Sequence, residues 1–195
     1  MRLVLLVITV ALVAGRLAGG RLDRIPRAGV RWPAVAVAGL ALQLAPLPGG
    51  IALAVLYASF GVLLGFAAAN LRLAGFAPLL LGLALNLTVI AANGGMPVAR
   101  QAIVASGQQA TLGALLRDGD GVKHHLAGPR TRLRPLADVL AVPQPVGQVI
   151  SVGDILVDAG IVWFIVAATR GAAAGPWWRR ARRGRGWRRR AVQAP

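Results

Sequence analysis

Cysteine is absent from the 195 residues of this chain. That excludes disulfide frameworks and thiolate metal sites, and it leaves the redox compartment unread. Glutamate is absent too. The six acidic residues are all Asp, set against 21 Arg and a single Lys, for a formal net charge of +16. Without Glu, neither an H-E-x-x-H zinc site nor the bidentate twelfth ligand of an EF-hand can be built, so Asp118-Gly119-Asp120-Gly121 reads as a turn. No G-x-S-x-G, P-loop or G-x-G-x-x-G occurs. Lys123-His124-His125 holds both histidines. Adjacent side chains on a helix diverge by about 100°, so no metal and no cofactor is expected. Aromatic residues amount to only 5%.

What is present is apolar and small. Hydrophobic residues make up 56% of the chain and mean hydropathy is +0.65, too apolar for an ordinary soluble domain. The preference for Arg, Ala and Gly over Lys, Glu and Ile suggests a GC-rich bacterial source. Five apolar segments stand out: Leu3–Ala18, Pro33–Leu47, Ile51–Ala69, Phe76–Ala92 and Val152–Thr169. Each approaches the roughly 17–25 residues that span a bilayer as a helix, and lipid leaves the backbone no other partner than its own helix. The expected fold is all-α: a polytopic integral membrane helix bundle of about five transmembrane helices, with a long extracytoplasmic loop carrying short helices. Residues 1–170 form the bundle, including an outer loop over 93–151, and 171–195 form a basic, disordered cytoplasmic tail.

Charge sets the orientation. Arg2 alone precedes the first segment, whereas Arg16, Arg21, Arg24, Arg27 and Arg31 follow it. A cleaved secretory signal carries its charge in front, so a retained helix with its N-terminus outside is expected. From Arg170 onward the chain carries nine more Arg, which places the C-terminus in the cytoplasm of a bacterial inner membrane. Residues 93–151 then lie outside, with short helices near Pro97–Ser106, Thr111–Arg117 and Pro135–Leu140. The tail interleaves Trp177, Trp178 and Trp187 with Arg179, Arg180, Arg182 and Arg183. This pattern suits the anionic inner leaflet better than stacking on single-stranded nucleic acid. Ala11, Gly15 and Gly19 share one helix face, and Gly61, Gly65 and Ala69 another. Both suit close helix packing, or a homo-oligomer face.

Polar residues inside the apolar segments are costly and few. Asp154 and Asp158, four apart, share a face of the last helix. Asp158 and Asn86 each lie about 9 Å below the outer helix end at 1.5 Å per residue. With Gln43 and Asn93 they fall in the outer half of the bilayer as a candidate polar layer, into which Arg130, Arg132 or Arg134 could descend. Ser151-Val152-Gly153-Asp154 also spells a capping box, and Asn93-Gly94-Gly95-Met96-Pro97 a helix stop with Pro97 opening a further helix. Asp158 is the residue that capping explains least.

Several of these stretches together carry a resemblance. Asn93-Gly94-Gly95-Met96-Pro97-Val98, Lys123-His124, Thr131-Arg132-Leu133, Leu136-Ala137-Asp138, Pro143, Pro145 and Ser151-Val152-Gly153-Asp154 are similar to a family of small bacterial membrane proteins, the domain-of-unknown-function family 5317. The resemblance covers about Met1–Arg170. It implies marked positions at Lys123, His124, Arg132, Asp138 and Asp154, and it departs mildly at Ala137, where that pattern has Gly. It implies a membrane location and brings no activity. The first functional reading is a non-enzymatic binding or accessory membrane protein, whose partners are membrane lipids, another protein or a second copy. The alternatives are a small transport subunit using Asp154 and Asp158 for a proton or cation, and an intramembrane enzyme acting on an envelope lipid with His124 or Asp158 as acid or base.

Overall fold

The structure is a computed structural model, and it describes residues 2–45, 47, 49–117 and 123–173. Five longer helices are α1 (Arg2–Leu17), α2 (Pro33–Leu44), α3 (Gly49–Ala69), α4 (Phe76–Asn93) and, after a cap, α7 (Val152–Thr169). Within the cap lie β1 (Met96–Val98), α5 (Arg100–Ala105), α6 (Gln109–Arg117), β2 (His124–Leu126), β3 (Leu140–Val142) and β4 (Gln148–Ile150). Among the described residues, three helices, α3, α4 and α7, are long and apolar enough to cross a membrane. Eighteen residues, the length of α4 and of α7, rise about 27 Å, close to the roughly 30 Å hydrocarbon core. The count is four if α1 and the 110° bend into Leu22–Ala28 are taken as one span. At 12 residues, α2 rises only about 18 Å. Pro33 opens this helix and an extended Ala45 closes it.

The helices pack neighbour to neighbour in the order α2, α3, α4, α7, α1, with α4 against α7 the most extensive contact. Glycine explains that closeness. A Cβ on Gly82 would overlap the Gly153 carbonyl and lie 2.9 Å from the Val157 backbone nitrogen. One on Gly160 would lie 2.6 Å from the Gly75 carbonyl. Two pairs of glycines seven residues apart, Gly75 at the N-cap of α4 with Gly82 within it, and Gly153 with Gly160 on α7, thus let the two backbones touch. Of the small-residue faces expected from sequence, one is used in part: Ala11 and Gly15 are buried and Gly15 receives Thr169, whereas Gly19 lies past the end of α1 and is exposed, the next residue Gly20 taking its place against Thr169. The other is not. Gly61 and Gly65 are exposed, and a Cβ there would meet nothing within 4 Å.

Leu56, Phe60, Leu63, Phe76, Leu83 and Ile90 form the core between α3 and α4. Phe76 meets Phe66 and Phe164 edge-on, with centroids 5.6 and 5.4 Å apart, joining α3, α4 and α7. At the same end, Asn70 is fully buried. Its Nδ2 donates to the Phe66 and Arg31 carbonyls at 2.9 and 3.1 Å, and its Oδ1 accepts from Arg31 N at 2.8 Å. The segment before α2 is thereby tied to the end of α3. Large apolar side chains on α1 and α2, among them Leu5, Val10, Val37 and Leu40, stay exposed.

The cap differs from the all-helical expectation. Short helices do form over 100–105 and 109–117, and a single 3-10 turn over Arg134–Leu136. Pro97, however, sits in a strand instead of opening a helix. β1 pairs in parallel with β2, Met96 opposite His124, and β3 pairs antiparallel with β4. Asp138 continues the first pair: its N–H donates to the Pro97 carbonyl at 3.1 Å, and its carbonyl accepts from Ala99 N at 2.9 Å. Three-residue strands offer no alternation to read, which is why the sequence did not signal them.

Candidate functional site

The chain leaves α4 through a left-handed Gly94 (φ 69°), as a glycine C-cap requires. Asn93, just before it, fastens the cap. Its Nδ2 donates to the Val89 carbonyl at 2.8 Å and the Arg132 carbonyl at 3.0 Å, and its Oδ1 accepts from Arg132 N at 2.8 Å. On the other flank Lys123 reaches α2, and its Nζ donates to the Gln43 and Ala45 carbonyls at 2.8 and 2.9 Å. Those are orphan acceptors at a helix C-terminus, where a cation is favoured. A third fastening joins α7 to α4. Asp154 Oδ1 accepts from Asn86 Nδ2 at 2.8 Å, and Oδ2 accepts from Ser151 N at 2.9 Å. Ser151 Oγ accepts from Asp154 N at 3.0 Å, completing the capping box. It also stands 2.8 Å from Asn86 Oδ1 and 2.9 Å from Asp154 Oδ2, and its one proton serves one of them at a time.

Four of the five residues of the expected polar layer are therefore distributed over three junctions, and the fifth, Asp158, joins none of them. Asn86 and Asp154 come together. Asn93 binds Arg132 through backbone atoms, and Gln43 contributes its carbonyl to Lys123. Asp158 is half-buried, and its carboxyl forms no hydrogen bond with any described residue. Arg132 and Arg134 make no ion pair with any described residue. Arg179, Arg180, Arg182 and Arg183 lie outside the described residues.

Between the cap and the ends of α2 and α3 lies a cavity of about 620 Å³. Leu44, Ala52, Ile103 and Leu115 supply apolar wall, and Lys123, His124, Asp138, Gln108 and Gln148 supply polar wall. Asp138 decides the chemistry of this space. It is buried, 8% exposed, and its Oδ1 has no hydrogen-bond partner among the described residues. Burial, aided by the nearby negative charge of Asp154, pushes its pKa up to about 8, so a neutral carboxylic acid faces the cavity at pH 7. His124 is open to the cavity yet enclosed by cap atoms. That desolvation holds its pKa below the ordinary value, against the opposing pull of Asp154. Near neutral pH the polar wall thus offers a carboxylic acid donor, an uncharged imidazole and two amides.

Of the five marked positions of the resemblance, Asp138, Lys123, His124 and Asp154 converge on this end of the molecule, and Arg132 stands at the end of α4 against Asn93. The sequence pattern of a family of unknown function, DUF5317, matches residues 30–166. The chain belongs to that family. The match runs from just before α2 into the last turns of α7 and contains the whole cap, the cavity and all three fastenings. It is narrower than the expected Met1–Arg170, since α1 lies outside it. No curated protein and no solved structure matches the chain. Among the described residues, no three of His, Cys, Asp or Glu gather closely enough to hold a metal. Two features of the site are absent from the expectations above. One is the cavity-facing role of Gln108 and Gln148, which share the cap with many other polar residues. The other is the glycine pairing behind the α4–α7 contact, which the repeated seven-residue spacing of Gly75/Gly82 and Gly153/Gly160 does signal.

Proposed function

We propose that this chain is a non-enzymatic bacterial inner-membrane protein that binds an amphipathic ligand in the cavity beneath its cap. The observation that carries the reading is Asp138, a buried carboxyl with an unpartnered oxygen on the wall of a 620 Å³ cavity. An unpaired buried polar atom costs free energy until a partner arrives. A largely apolar cavity with a few convergent polar groups is the usual form of a small-molecule site. The ligand's polar end meets Asp138, His124 and Gln148, and its apolar part lies along Leu44, Ile103 and Leu115. In this reading α1 and α2 sit in the membrane beside α3, α4 and α7, consistent with their exposed apolar side chains. The cap lies outside the cell, and the Arg-rich tail associates with the anionic inner leaflet.

The test is lipid and metabolite mass spectrometry on the full chain purified in maltoside detergent, beside Thr111→Trp and Asp138→Asn. Thr111 is exposed and lines the cavity, so a Trp there fills the space without disturbing the core. The parent is expected to carry a co-purifying amphiphile that Thr111→Trp excludes. Equal content in parent and Thr111→Trp would refute cavity binding.

One observation favours a second reading. A neutral Asp138 and an uncharged His124 on one wall are the protonation states that a general acid and a general base require. Turnover of the co-purified molecule that is lost in His124→Gln, with binding kept, would favour an enzyme. The proton-relay alternative has less support, because Asp154 is held by the capping box and Asn86.

A further inference from the structure

Successive side chains of a strand point to opposite sides, so His124 and His125 of β2 serve different cavities. The second cavity, about 600 Å³, lies at the end of α4 and shares no lining residue with the first. Asn93, His125, Gly128, Arg130, Thr131 and Arg132 bound it, and none of its lining residues is acidic. Both arginines are exposed. The ion pairs among the described residues join Asp23 to Arg21 and Arg27, far along the chain. Neither guanidinium of this cavity is therefore neutralised by a carboxylate of the described residues. His125 Nε2 is buried with no hydrogen-bond partner among them.

The backbone beneath these groups is already fixed. Gly128 N donates to Thr131 Oγ1 at 2.9 Å, Thr131 N donates to the Gly128 carbonyl at 3.1 Å, and Asn93 clamps both backbone groups of Arg132. None of these bonds uses a guanidinium. The turn presents two planar cationic forks on a preformed base, with the imidazole behind.

We propose that this second cavity binds a phosphate group, carried by a lipid headgroup or free in solution. Paired guanidinium groups match phosphate oxygens in geometry and charge. A cavity whose charged lining residues are two arginines concentrates anions. Its position at the end of a membrane-length helix puts it at headgroup level. The assignment is independent of the amphiphile cavity and stands or falls without it.

The experiment follows amide hydrogen exchange over residues 124–132 of the full chain in maltoside micelles, which contain no phosphate. The probes are inorganic phosphate and the soluble lipid dihexanoyl-phosphatidylglycerol. The Arg-rich tail also attracts both probes, so the readout is local and the comparison is the full chain carrying Arg130→Gln with Arg132→Gln. Saturable slowing of exchange is expected in the parent. The probe concentration needed is expected to rise by roughly tenfold or more in the double variant. Slowing by the lipid alone assigns a headgroup, and equal slowing by both probes assigns phosphate itself. No saturable slowing with either probe, or equal slowing in parent and double variant, overturns the proposal. Should the Gln pair alter exchange before any probe is added, Arg130→Lys with Arg132→Lys, which keeps the charge and loses the fork, carries the comparison. Equal response of the Lys pair and the parent then counts against the site.

Discussion

At the scale of single residues, Asp138 and Lys123 carry opposite kinds of information. The Asp138 carboxyl is lifted to about 8 by burial and by Asp154. Between an ordinary Asp pKa and about 8, the folded chain holds a proton that the unfolded chain has lost, so stability falls as pH rises through that window. The slope from this one group is at most about 1.4 kcal/mol per pH unit. His124 works in the other direction. Its lowered pKa makes the unfolded chain take up protons first, so its contribution is lost as pH falls below 6.5. Thermal melts of parent and Asp138→Asn between pH 5 and 9 are therefore expected to converge at the acid end and to separate at the alkaline end, with the variant the flatter. A parent curve that rises towards pH 9 would contradict a buried, neutral Asp138. Lys123→Met leaves the Gln43 and Ala45 carbonyls without their donor, and is expected to cost about 1–3 kcal/mol, measured as a lowered melting temperature. Sequence alone marked Lys123, His124 and Asp138, yet it could not say that the lysine caps α2. That contact spans 80 positions in the chain, and no local pattern encodes it.

Among the elements, α4 and α7 are the pair on which the cap depends, because Asn86, Asn93, Ser151 and Asp154 all sit on them or at their ends. Their glycines make the contact possible, so adding a methyl group there is a direct probe. Gly82→Ala and Gly160→Ala each press a Cβ into the opposite backbone and are expected to destabilise by about 1–3 kcal/mol. Gly61→Ala meets open space and is expected to leave melting unchanged. If all three variants melt alike, the α4–α7 seam is not close-packed. The long helices were legible because length and unbroken apolarity suffice to mark them; α3, α4 and α7 appear within a residue or two of the expected segments. The capping box at Ser151 was legible for the same reason, being local. The four strands and the parallel pairing of β1 with β2 were not, since pairing partners lie far apart in sequence and each strand has three residues. His124 and His125 lie on one of these strands: on β2 they face opposite sides, and each has a cavity of its own.

For the whole molecule, topology decides which compartment the two cavities face. In the proposed orientation, residue 120 lies outside and residues 25 and 180 inside. Reporter fusions at those three positions are expected to read out in that pattern, and a cytoplasmic signal at 120 would reverse the orientation. The central claim is narrower and can be tested without knowing the side: an amphiphile occupies the space between cap and helices. The most direct measurement is photocrosslinking in native membranes from a benzoylphenylalanine at Leu115, which lines the cavity, compared with one at Leu5, which is 60% exposed. The probe at Leu115 is expected to capture a single lipid-sized adduct that Thr111→Trp abolishes, while the probe at Leu5 captures bulk lipid whether or not Thr111 is changed. The same mixture of bulk lipid at both positions, unaffected by Thr111→Trp, would contradict it.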